Sequence, residues 1–274
     1  MIPKKIHLYW GKNKPLSYMK YLTVVSFSKL NPDWQIFVYY PKNINKEIKW
    51  DGFEQKKYCP VGKDYFDDLA NIKNVSLVET DFKLAKEISE VHKSDLLRLS
   101  LLSSVGGLWS DFDIFYTSSV DKIFNKFENK DTLICYHYNC HNIGFLASAG
   151  DNKFFKQLFD MCVNSINKID NLQYQTIGRD LFTSFFKYNK KNTEDFSEKH
   201  ECKIDNIPFT TVYPFDWRQI ELIFGKHSNL FENTVGIHWF AGAEKTSEYE
   251  NIVTQENIET FDNFLLKLMA GINE

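Results

Sequence analysis

The 274-residue sequence predicts an α/β fold in which helices flank a mainly parallel β-sheet. Segments rich in β-branched and aromatic residues alternate along the chain with segments that have helical spacing, and this alternation is typical of parallel sheets. Apolar residues make up 43% of the chain, which is enough for a full hydrophobic core. A glycine pair also separates the most apolar helix from the strand that follows it.

Local patterns define the individual elements. Predicted strands cover 5–10, 35–40, 75–79, 108–109, 114–116, 132–136, 142–148, 235–240 and two short pieces of 203–212 that Pro208 separates. Predicted helices cover 17–30, 64–72, 81–105, 151–169, 172–188 and 255–269. Ser17 supplies an N-cap for the first helix, and Asn31-Pro32 ends it. The polar segments 43–62 and 189–200 are expected to be surface loops.

The predicted organisation is a single domain over residues 1–274, with a helical insertion around 151–200. We find no internal repeat, low-complexity tract or linker in the sequence. The helix predicted over 151–169 carries a stripe of aromatic and aliphatic residues at helical spacing. Such a stripe is typical of a helix face that is buried in the core, and it does not indicate a cofactor site.

Composition argues against several classes of protein. The net charge of −3 and the dispersed lysines do not suit a broad nucleic-acid surface. No run of about 18 apolar residues occurs, so we expect no membrane span, although peripheral contact with a membrane stays open. The five scattered cysteines lack metal-binding spacing, and no signal-peptide pattern follows Met1. These features favour a reduced, cytoplasmic protein.

The chain is organised around residues 91–116, which begin with a leucine-rich helix. Asp95 and Arg98 are the only ionisable residues of this helix past Lys93. Residues three apart share a helix face, so we expect this acid and base side by side. An ion pair on the helix surface is the alternative, but the surrounding leucines favour burial, which is costly unless the pair has a function. Gly106-Gly107 then ends the helix.

Two aspartates follow the glycine corner and its short strand. Asp111 and Asp113 are two residues apart, so in an extended chain both carboxylates face one side and Phe112 faces the other. Two carboxylates this close repel each other unless a cation joins them, and oxygen ligands suit Mg²⁺ or Mn²⁺. The spacing therefore indicates a site for a metal and a diphosphate, with a solvated Asp-x-Asp loop as the alternative.

Residues 94–113, SDLLRLSLLSSVGGLWSDFD, resemble the SDxxR…GG…DxD segment of glycosyltransferases that have a DxD sugar-binding region. This family includes Och1-like mannosyltransferases, bacterial capsular-polysaccharide transferases and α1,4-galactosyltransferases, and the glucosylating clostridial toxins carry a distant version. Further matches follow in family order at Pro3-Lys4-Lys5-Ile6-His7 with Trp10, at 141–146, at Tyr213-Pro214 with Trp217, and at His238-Trp239. The resemblance thus spans most of the chain.

The resemblance implies a GT-A fold, which is the Rossmann-like fold of nucleotide-diphospho-sugar transferases. It further implies a metal-dependent transferase that moves a hexose or N-acetylhexosamine from a nucleotide sugar, with UDP favoured. The expected acceptor is a glycan or a lipid-linked glycan, and surface polysaccharide synthesis is the expected setting. The expected cofactor is Mn²⁺, or Mg²⁺ in its place. The resemblance also implies that the reaction retains the anomeric configuration.

Three residues are the expected metal ligands. Asp113 would hold the cation beside the departing diphosphate, and Asp111 would contact the metal, the ribose or the donor sugar. His238 is the candidate ligand from a distant part of the sequence, because a neutral imidazole binds Mn²⁺ and a strand end can face the aspartates. A purely structural histidine is the alternative interpretation.

Donor-binding residues are expected at several places along the chain. Tyr9 and Trp10 end the first strand, at the sheet edge where α/β proteins bind ligands, and they are candidates to stack on the base. By resemblance to the toxin transferases, Asp95 and Arg98 grip the sugar hydroxyls and the phosphate. The remaining candidates for contact with the phosphates or the donor are Trp239 and Ser247.

Retention without a covalent intermediate requires weak stabilisation of the reacting carbon on the face opposite the leaving group. A neutral amide suits this role because its carbonyl dipole stabilises positive charge without forming a lasting bond. Asn142 is the candidate, since it matches the family's asparagine position. Asp180 is the alternative, which would make a covalent intermediate conceivable, and Asp111 completes the candidate catalytic set.

Two other functions remain open from the sequence. A glycoside hydrolase would use paired carboxylates as acid and base, although a pair directly after a glycine corner suits a metal better. A non-catalytic module that binds sugar nucleotides is the other alternative. Tyr213, Asp216 and Trp217 are candidates to shape an acceptor side, or they form a turn held by Pro214.

Overall fold

The computed structural model describes residues 1–44, 57–84, 86–137, 140–186, 197–199 and 202–272. Its strands are β1 (Lys5–Tyr9), β2 (Gln35–Pro41), β3 (Val75–Thr80), β4 (Gly107–Ser110), β5 (Ile114–Tyr116), β6 (Thr132–Ile134), β7 (Tyr136–His137), β8 (Cys140–His141), β9 (Phe145–Ser148), β10 (Ile204–Asn206) and β11 (Gly236–His238). Its α-helices are α1 (Tyr18–Leu30), α2 (Glu90–Ser104), α3 (Asp121–Lys126), α4 (Lys153–Lys168), α5 (Arg179–Phe186), α6 (Ile220–Ile223), α7 (Glu244–Ile252) and α8 (Phe264–Gly271).

In the described part of the chain, seven strands form the central sheet in the order β10-β6-β9-β4-β1-β2-β3. Strand β1 pairs in parallel with β2 and β4, β2 pairs in parallel with β3, and β6 pairs in parallel with β10. Strand β9 lies between β4 and β6 and is antiparallel to both. The predicted α/β architecture with a mainly parallel sheet is therefore confirmed.

Alternate residues of the central strands pack into two different hydrophobic clusters. Leu108 belongs to the cluster that includes residues of α1 and α8, whereas its neighbour Trp109 belongs to the cluster that includes residues of α2, α4 and α5. In β6, Leu133 likewise belongs to the first of these clusters and Ile134 to the second. Successive strand side chains point to opposite faces, so the sheet is covered by helices on both sides.

Helix α1 begins and ends at the residues that the sequence predicts. The Ser17 side chain accepts a hydrogen bond from the backbone N–H of Lys20, at 3.2 Å. At the other end, both the backbone and the side-chain amide of Asn31 donate to the carbonyl of Phe27. These contacts satisfy polar groups that a helix terminus leaves without an intrahelical partner.

The glycine corner after α2 places backbone where a side chain would clash. Gly106 has φ of 69° and Gly107 has φ of 116°, both in the region that favours glycine. A Cβ on Gly106 would lie 2.5 Å from the amide nitrogen of Gly150. The corner therefore lets the chain turn directly from α2 into β4, whose carboxyl end leads to Asp111 and Asp113.

Three helix predictions extend too far. Residues 81–84 and 86–89 are not helical, because Ser89 has the extended conformation of an N-cap and α2 begins at Glu90. Within 172–188, only α5 is α-helical among the described residues, and 187–188 lie outside them. Within 255–269, a short 3₁₀ turn at Ile258–Thr260 precedes α8, because Asn263 is extended and its side chain donates to the Phe224 carbonyl.

Several loop and strand predictions also change. The segment 64–72 forms a 3₁₀ helix at Asp67–Asn71, and 203–212 contains only β10 as a strand. After Pro208 the chain forms a 3₁₀ turn, Phe209–Thr211, in which the Thr211 amide donates to the Pro208 carbonyl. Of the predicted loops, 45–56, 189–196 and 200 lie outside the described residues, and 197–199 are helical. No helix in the described ranges combines the length and apolarity that crossing a membrane requires.

Candidate functional site

A cavity of about 840 Å³ opens beyond the carboxyl ends of the parallel strands β1 and β4. The predicted site residues that line it share this sheet edge or face it from α2 and β11, and they are Tyr9, Trp10, Asp95, Arg98, Asp111, Asp113 and His238. Ligands of α/β proteins bind in such a position. Its volume falls in the range that holds a small-molecule ligand or cofactor.

Two aspartates and a histidine converge at this cavity. Asp111, Asp113 and His238 each offer one ligand atom, and these atoms lie within 4.8 Å of one another. The aspartates occupy the turn between β4 and β5, whereas the sequence predicted an extended segment. Phe112 between them packs into the core, 5% exposed, so the two carboxylates still face the same side.

The pairing of β5 with β11 brings the histidine to the aspartates. These strands are antiparallel, and His238 lies opposite Ile114, the residue after Asp113. The Trp239 amide also donates to the Asp113 carbonyl, at 2.9 Å. As a result, His238 Nε2 lies 3.2 Å from Asp113 Oδ1. The Phe240 amide also donates to His238 Nδ1, at 3.2 Å, which helps to fix the orientation of the ring.

The surroundings of Asp113 favour its charged form. Burial by itself would raise the pKa of this carboxyl, but His238 and the Ala241 amide, which donates to Oδ2 at 2.9 Å, lower the pKa to about 2. Asp113 is therefore a carboxylate at neutral pH. An ionised carboxylate at this position can bind a cation without first losing a proton.

On the opposite wall, one guanidinium serves two carboxylates. Arg98 donates from Nη1 to Asp95 Oδ1 and from Nη2 to Asp111 Oδ1, both at 2.9 Å. Its guanidinium carbon lies 4.9 Å from the centre of the Trp109 ring, and the Trp109 indole N–H also donates to Asp111 Oδ1. Arg98 and Asp95 are both about 5% exposed. The buried alternative for this helix pair is therefore correct.

The environment of Asp95 contrasts with that of Asp113. Burial raises the pKa of Asp95 to about 7; Arg98 opposes this rise and the charge of Asp111 adds to it. Gly178 packs against the carboxylate so closely that a Cβ there would lie 2.8 Å from Asp95 Oδ2. Asp95 is thus enclosed by α2 and by the turn before α5, with Arg98 as its cationic partner.

Aromatic side chains form another part of the cavity. The Tyr9 hydroxyl donates to Glu90, which also accepts from Lys93 Nζ at 2.8 Å. The Trp10 ring lies edge-on to Tyr58 and to Phe112, with ring centres 6.1 and 5.9 Å away. The phenol of Tyr9 is therefore engaged with α2, and the partly exposed Trp10 is the better placed of the two for stacking on a ligand.

The sequence interpretation missed a buried ion pair in this cavity. Lys20 of α1 lines the cavity, and its Nζ lies 2.6 Å from Glu250 of α7, with 3% and 0% of these side chains exposed. Ser17 also donates to Glu250, at 3.0 Å. A lysine within an apolar helix is a usable signal in the sequence. Its partner Glu250 cannot be found from the sequence, because α1 and α7 are distant along the chain.

A second cavity, of about 510 Å³, adjoins the first and shares Asp111 and His238 with it. Asn142 lines this second cavity, and its backbone amide donates to the Cys135 carbonyl at 2.8 Å. Tyr213 and Trp217, which the sequence assigned to an acceptor side, line it as well. Asn142 and Asp111 thus line the same cavity.

Three predicted residues do not line either cavity. Trp239 is fully buried in the core, and its side chain points away from the cavities that His238 lines. Ser247 is buried in α7, where its hydroxyl donates to the carbonyls of Ala241 and Ala243. Asp180 is exposed and pairs with the neighbouring Arg179 at 3.5 Å. Their predicted contacts with substrate stay predictions.

The residues at the cavity fit a divalent cation. Two carboxylates and an imidazole provide the oxygen and nitrogen ligands that Mn²⁺ accepts, and they are close enough to share one ion. Asp111, Asp113 and His238 all line the first cavity. Mg²⁺ or Mn²⁺ bound there would leave room for the phosphate oxygens of a ligand.

Comparison with known proteins gives a family and a fold. The model of the capsular polysaccharide synthesis protein family matches residues 65–260. Comparison with curated protein sequences gave no match. Among solved structures, the PaToxG glycosyltransferase is similar at 16% identity with a TM-score of 0.50, over 99% of this chain and 87% of that chain. The predicted GT-A fold is confirmed.

Two further solved structures are similar at lower scores. The galactosyltransferase LgtC, in complex with donor and acceptor sugar analogues, has 14% identity and a TM-score of 0.45 over 92% of this chain and 98% of that chain. The glycosyltransferase GlyE of Streptococcus pneumoniae TIGR4 has 9% identity and a TM-score of 0.46, over 99% of this chain and 60% of that chain.

Proposed function

Because this chain belongs to the capsular polysaccharide synthesis protein family of glycosyltransferases, we propose that it transfers a hexose or N-acetylhexosamine from a nucleotide sugar to a glycan acceptor. We further propose that the reaction depends on Mn²⁺ or Mg²⁺, retains the anomeric configuration and serves surface polysaccharide synthesis. The observation that carries this proposal is the convergence of Asp111, Asp113 and His238 at a cavity beyond the sheet edge.

The first cavity suits a nucleotide sugar, with UDP as the favoured nucleotide. Its aromatic part, with Trp10 and Tyr58, offers ring surface to a base, and its acidic part offers a cation site to a diphosphate. Asp95 and Arg98, which line the same cavity, present an acceptor and donors for sugar hydroxyls.

The acidic residues prepare the site for a leaving diphosphate. A bound divalent cation would supply Lewis-acid neutralisation of the charge that develops on the departing phosphate. Asp113 is held ionised by His238 and the Ala241 amide, and Asp111 is oriented by Arg98 and by the indole N–H of Trp109. These fixed partners lower the cost of orienting charged groups during the reaction.

The second cavity supports retention with a neutral amide near the reacting carbon. Asn142 and Asp111 both line this cavity, and we propose that an acceptor sugar binds there with the amide near the reacting carbon. Asp180 is exposed and lines neither cavity, which gives no support to a covalent intermediate on that residue. NMR of the first product formed tests the stereochemistry. An inverted anomer contradicts retention, whereas an unchanged rate in Asn142→Ala contradicts only the role of Asn142.

A screen of UDP- and GDP-sugars by thermal shift, with and without Mn²⁺, tests the proposal. A ligand that binds only the native state raises the melting temperature, and the nucleotide sugar that does so most should then be turned over. Transfer or slow donor hydrolysis that stops in excess EDTA is the expected result. Cleavage of simple glycosides without a nucleotide would favour the hydrolase alternative, and binding without turnover would favour the non-catalytic module.

A further inference from the structure

Tyr213 is a buried residue whose hydroxyl has no hydrogen-bond partner in the described part of the chain. Only 2% of the residue is exposed. Its ring is fixed between Phe209, stacked at 5.4 Å between ring centres, and His238, at 5.0 Å. The hydroxyl is therefore held in one place, on the wall of the second cavity, where it has no partner of its own.

The Tyr213 hydroxyl lies close to the Oδ2 oxygen of Asp111. A Cβ built on Gly144 would lie 2.8 Å from Asp111 Oδ2 and 3.0 Å from the Tyr213 hydroxyl oxygen, so these two oxygens flank the bare Cα of Gly144. Asp111 uses Oδ1 for its bonds to Arg98 and Trp109. Glycine at this position keeps the space between Oδ2 and the phenol free of a side chain, since a Cβ there would meet both oxygens.

The hydrogen-bonding groups around this space determine which kind of ligand can bind there. A phenol is protonated at neutral pH and donates a hydrogen bond, whereas a carboxylate oxygen only accepts one. A group that accepts from Tyr213 and donates to Asp111 at the same time must be both acceptor and donor, as a hydroxyl is. Leaving a buried hydroxyl without a partner costs free energy, so a ligand that supplies the partner gains affinity.

We propose that the Tyr213 hydroxyl and Asp111 Oδ2 together bind one hydroxyl group of a sugar at the junction of the two cavities. This inference rests on the proposed function and adds a substrate-binding residue to it. The sugar is either the one carried by the donor or the one in the acceptor. Both present the same chemistry, and the experiment separates them.

The test compares the wild-type protein with Tyr213→Phe, which keeps the stacked ring and removes only the hydroxyl. Calorimetry with Mn²⁺ measures binding of UDP alone and of UDP-glucose, UDP-galactose and UDP-N-acetylglucosamine. Initial rates are measured with water as the sole acceptor and with methyl glycosides of the same sugars. We expect UDP to bind equally well to both proteins and sugar-dependent steps to weaken about 10-fold, as for a lost hydrogen bond.

The affected step identifies the sugar. Weaker binding of the UDP-sugar, with UDP unchanged, assigns the contact to the donor sugar. An unchanged donor and a raised KM for the methyl glycoside assign it to the acceptor. Gly144→Ala is a second variant, because its Cβ intrudes between the two oxygens, and it should impair the same step as Tyr213→Phe.

Stability separates this role from a structural one. Removing an unpartnered buried hydroxyl should leave the melting temperature of Tyr213→Phe unchanged or higher. Tyr116→Phe is the matched control, because the Tyr116 hydroxyl is fully buried and donates to Ser110 Oγ at 2.7 Å, and its loss should lower the melting temperature. Equal binding and rates in Tyr213→Phe and wild type would overturn the inference, as would a lowered melting temperature with UDP binding weakened in proportion.

The two proposals fail in different ways. If the wild-type protein neither binds nor turns over any nucleotide sugar, the proposed function is wrong. If the wild-type protein is active and Tyr213→Phe matches it throughout, only the inference about Tyr213 is wrong.

Discussion

The first cavity contains two buried acid–base clusters that are built in different ways. The helix cluster, Asp95 and Arg98 with Asp111, depends on residues three apart on α2. The strand cluster, Asp113 with His238, depends on the pairing of β5 with β11. Both acids are largely buried, with side chains 6% exposed for Asp95 and 13% for Asp113.

The two clusters shift the pKa of their aspartates in opposite directions. Arg98 is shared between two carboxylates, and burial raises the pKa of Asp95 to about 7. Asp113 has an imidazole and a backbone amide to itself, and although burial opposes them, its pKa falls to about 2. Burial raises the pKa in both cases, so the neighbouring groups decide the sign of the shift. The charge of Asp111 adds to burial at Asp95, whereas His238, the Ala241 amide and Lys20 outweigh burial at Asp113.

The largest expected effect is the loss of the shared cation in the helix cluster. Arg98→Ala would leave two neighbouring carboxylates without their guanidinium, in a largely buried position. Removing one partner of a buried pair typically costs about 3–5 kcal/mol, so we expect the free energy of unfolding to fall by that amount. Urea denaturation measures it. A change below about 1 kcal/mol would contradict the central role of Arg98.

Lys156→Ala is the matched control for Arg98→Ala. Lys156 and Asp160 form an i,i+4 pair at 2.6 Å on the surface of α4, with 58% and 53% of their side chains exposed. Such an exposed pair is worth about 0.3–0.5 kcal/mol. The difference between the two variants measures what burial adds to an ion pair on a helix.

The second prediction concerns the pH dependence that Asp95 causes. Its pKa is near 7 in the folded protein and 3.8 in the unfolded chain, so the folded state binds a proton more tightly. Its contribution to stability is fully present below about pH 3.8 and is lost as pH rises to about 7. At about 1.4 kcal/mol per pKa unit, the loss is at most about 4 kcal/mol.

Asp95→Asn removes this titration and keeps the shape of the side chain. The free energy of unfolding of the variant should therefore fall less than that of the wild type between pH 4.5 and 7.5. Asp160→Asn, which changes an exposed acid, should follow the wild-type curve. Parallel curves for wild type and Asp95→Asn would mean that Asp95 is already ionised at low pH and that the contrast with Asp113 is false.

The third prediction turns to the strand cluster. Asp113→Asn removes the charge but keeps an oxygen that accepts from the Ala241 amide, so we expect the fold to remain. Loss of a metal ligand should lower turnover at least about 100-fold, because even indirect partners of metal ligands are worth 10–100-fold. Steady-state rates with Mn²⁺ measure the effect. Wild-type rates in this variant, or full activity of the wild type in excess EDTA, would refute the metal site.

The smallest effect is expected for the histidine. His238→Ala leaves both aspartates in place, so we expect Mn²⁺ affinity to fall only about 10-fold. A Mn²⁺ titration of turnover measures the shift. His227→Ala changes an exposed histidine and is the control. If His238→Ala titrates like the control, His238 only positions Asp113, and the metal is held by Asp111 and Asp113 without the imidazole.

The prediction of the fold from the sequence succeeded where the deciding interactions are local. Ser17 caps α1, Gly106-Gly107 turns the chain after α2, and hydrophobic spacing located most strands within a few residues. It failed at 81–89 and 255–269, where a cap residue or a side-chain bond to distant backbone interrupts a pattern that looks helical. The antiparallel direction of β9 also depends on distant neighbours that hydrophobic spacing does not encode.

The sequence by itself determined the Asp95–Arg98 pair of the helix cluster, because residues three apart share one face of any α-helix. It also determined that Asp111 and Asp113 follow a forced corner. Only the tertiary structure decided that His238 meets Asp113, since that contact needs the register of β5 with β11. Likewise, only packing could turn Trp239 into the core and leave the Tyr213 hydroxyl without a partner. Contacts within one turn of helix are set by bond geometry, whereas contacts between distant segments are set by how the whole core packs.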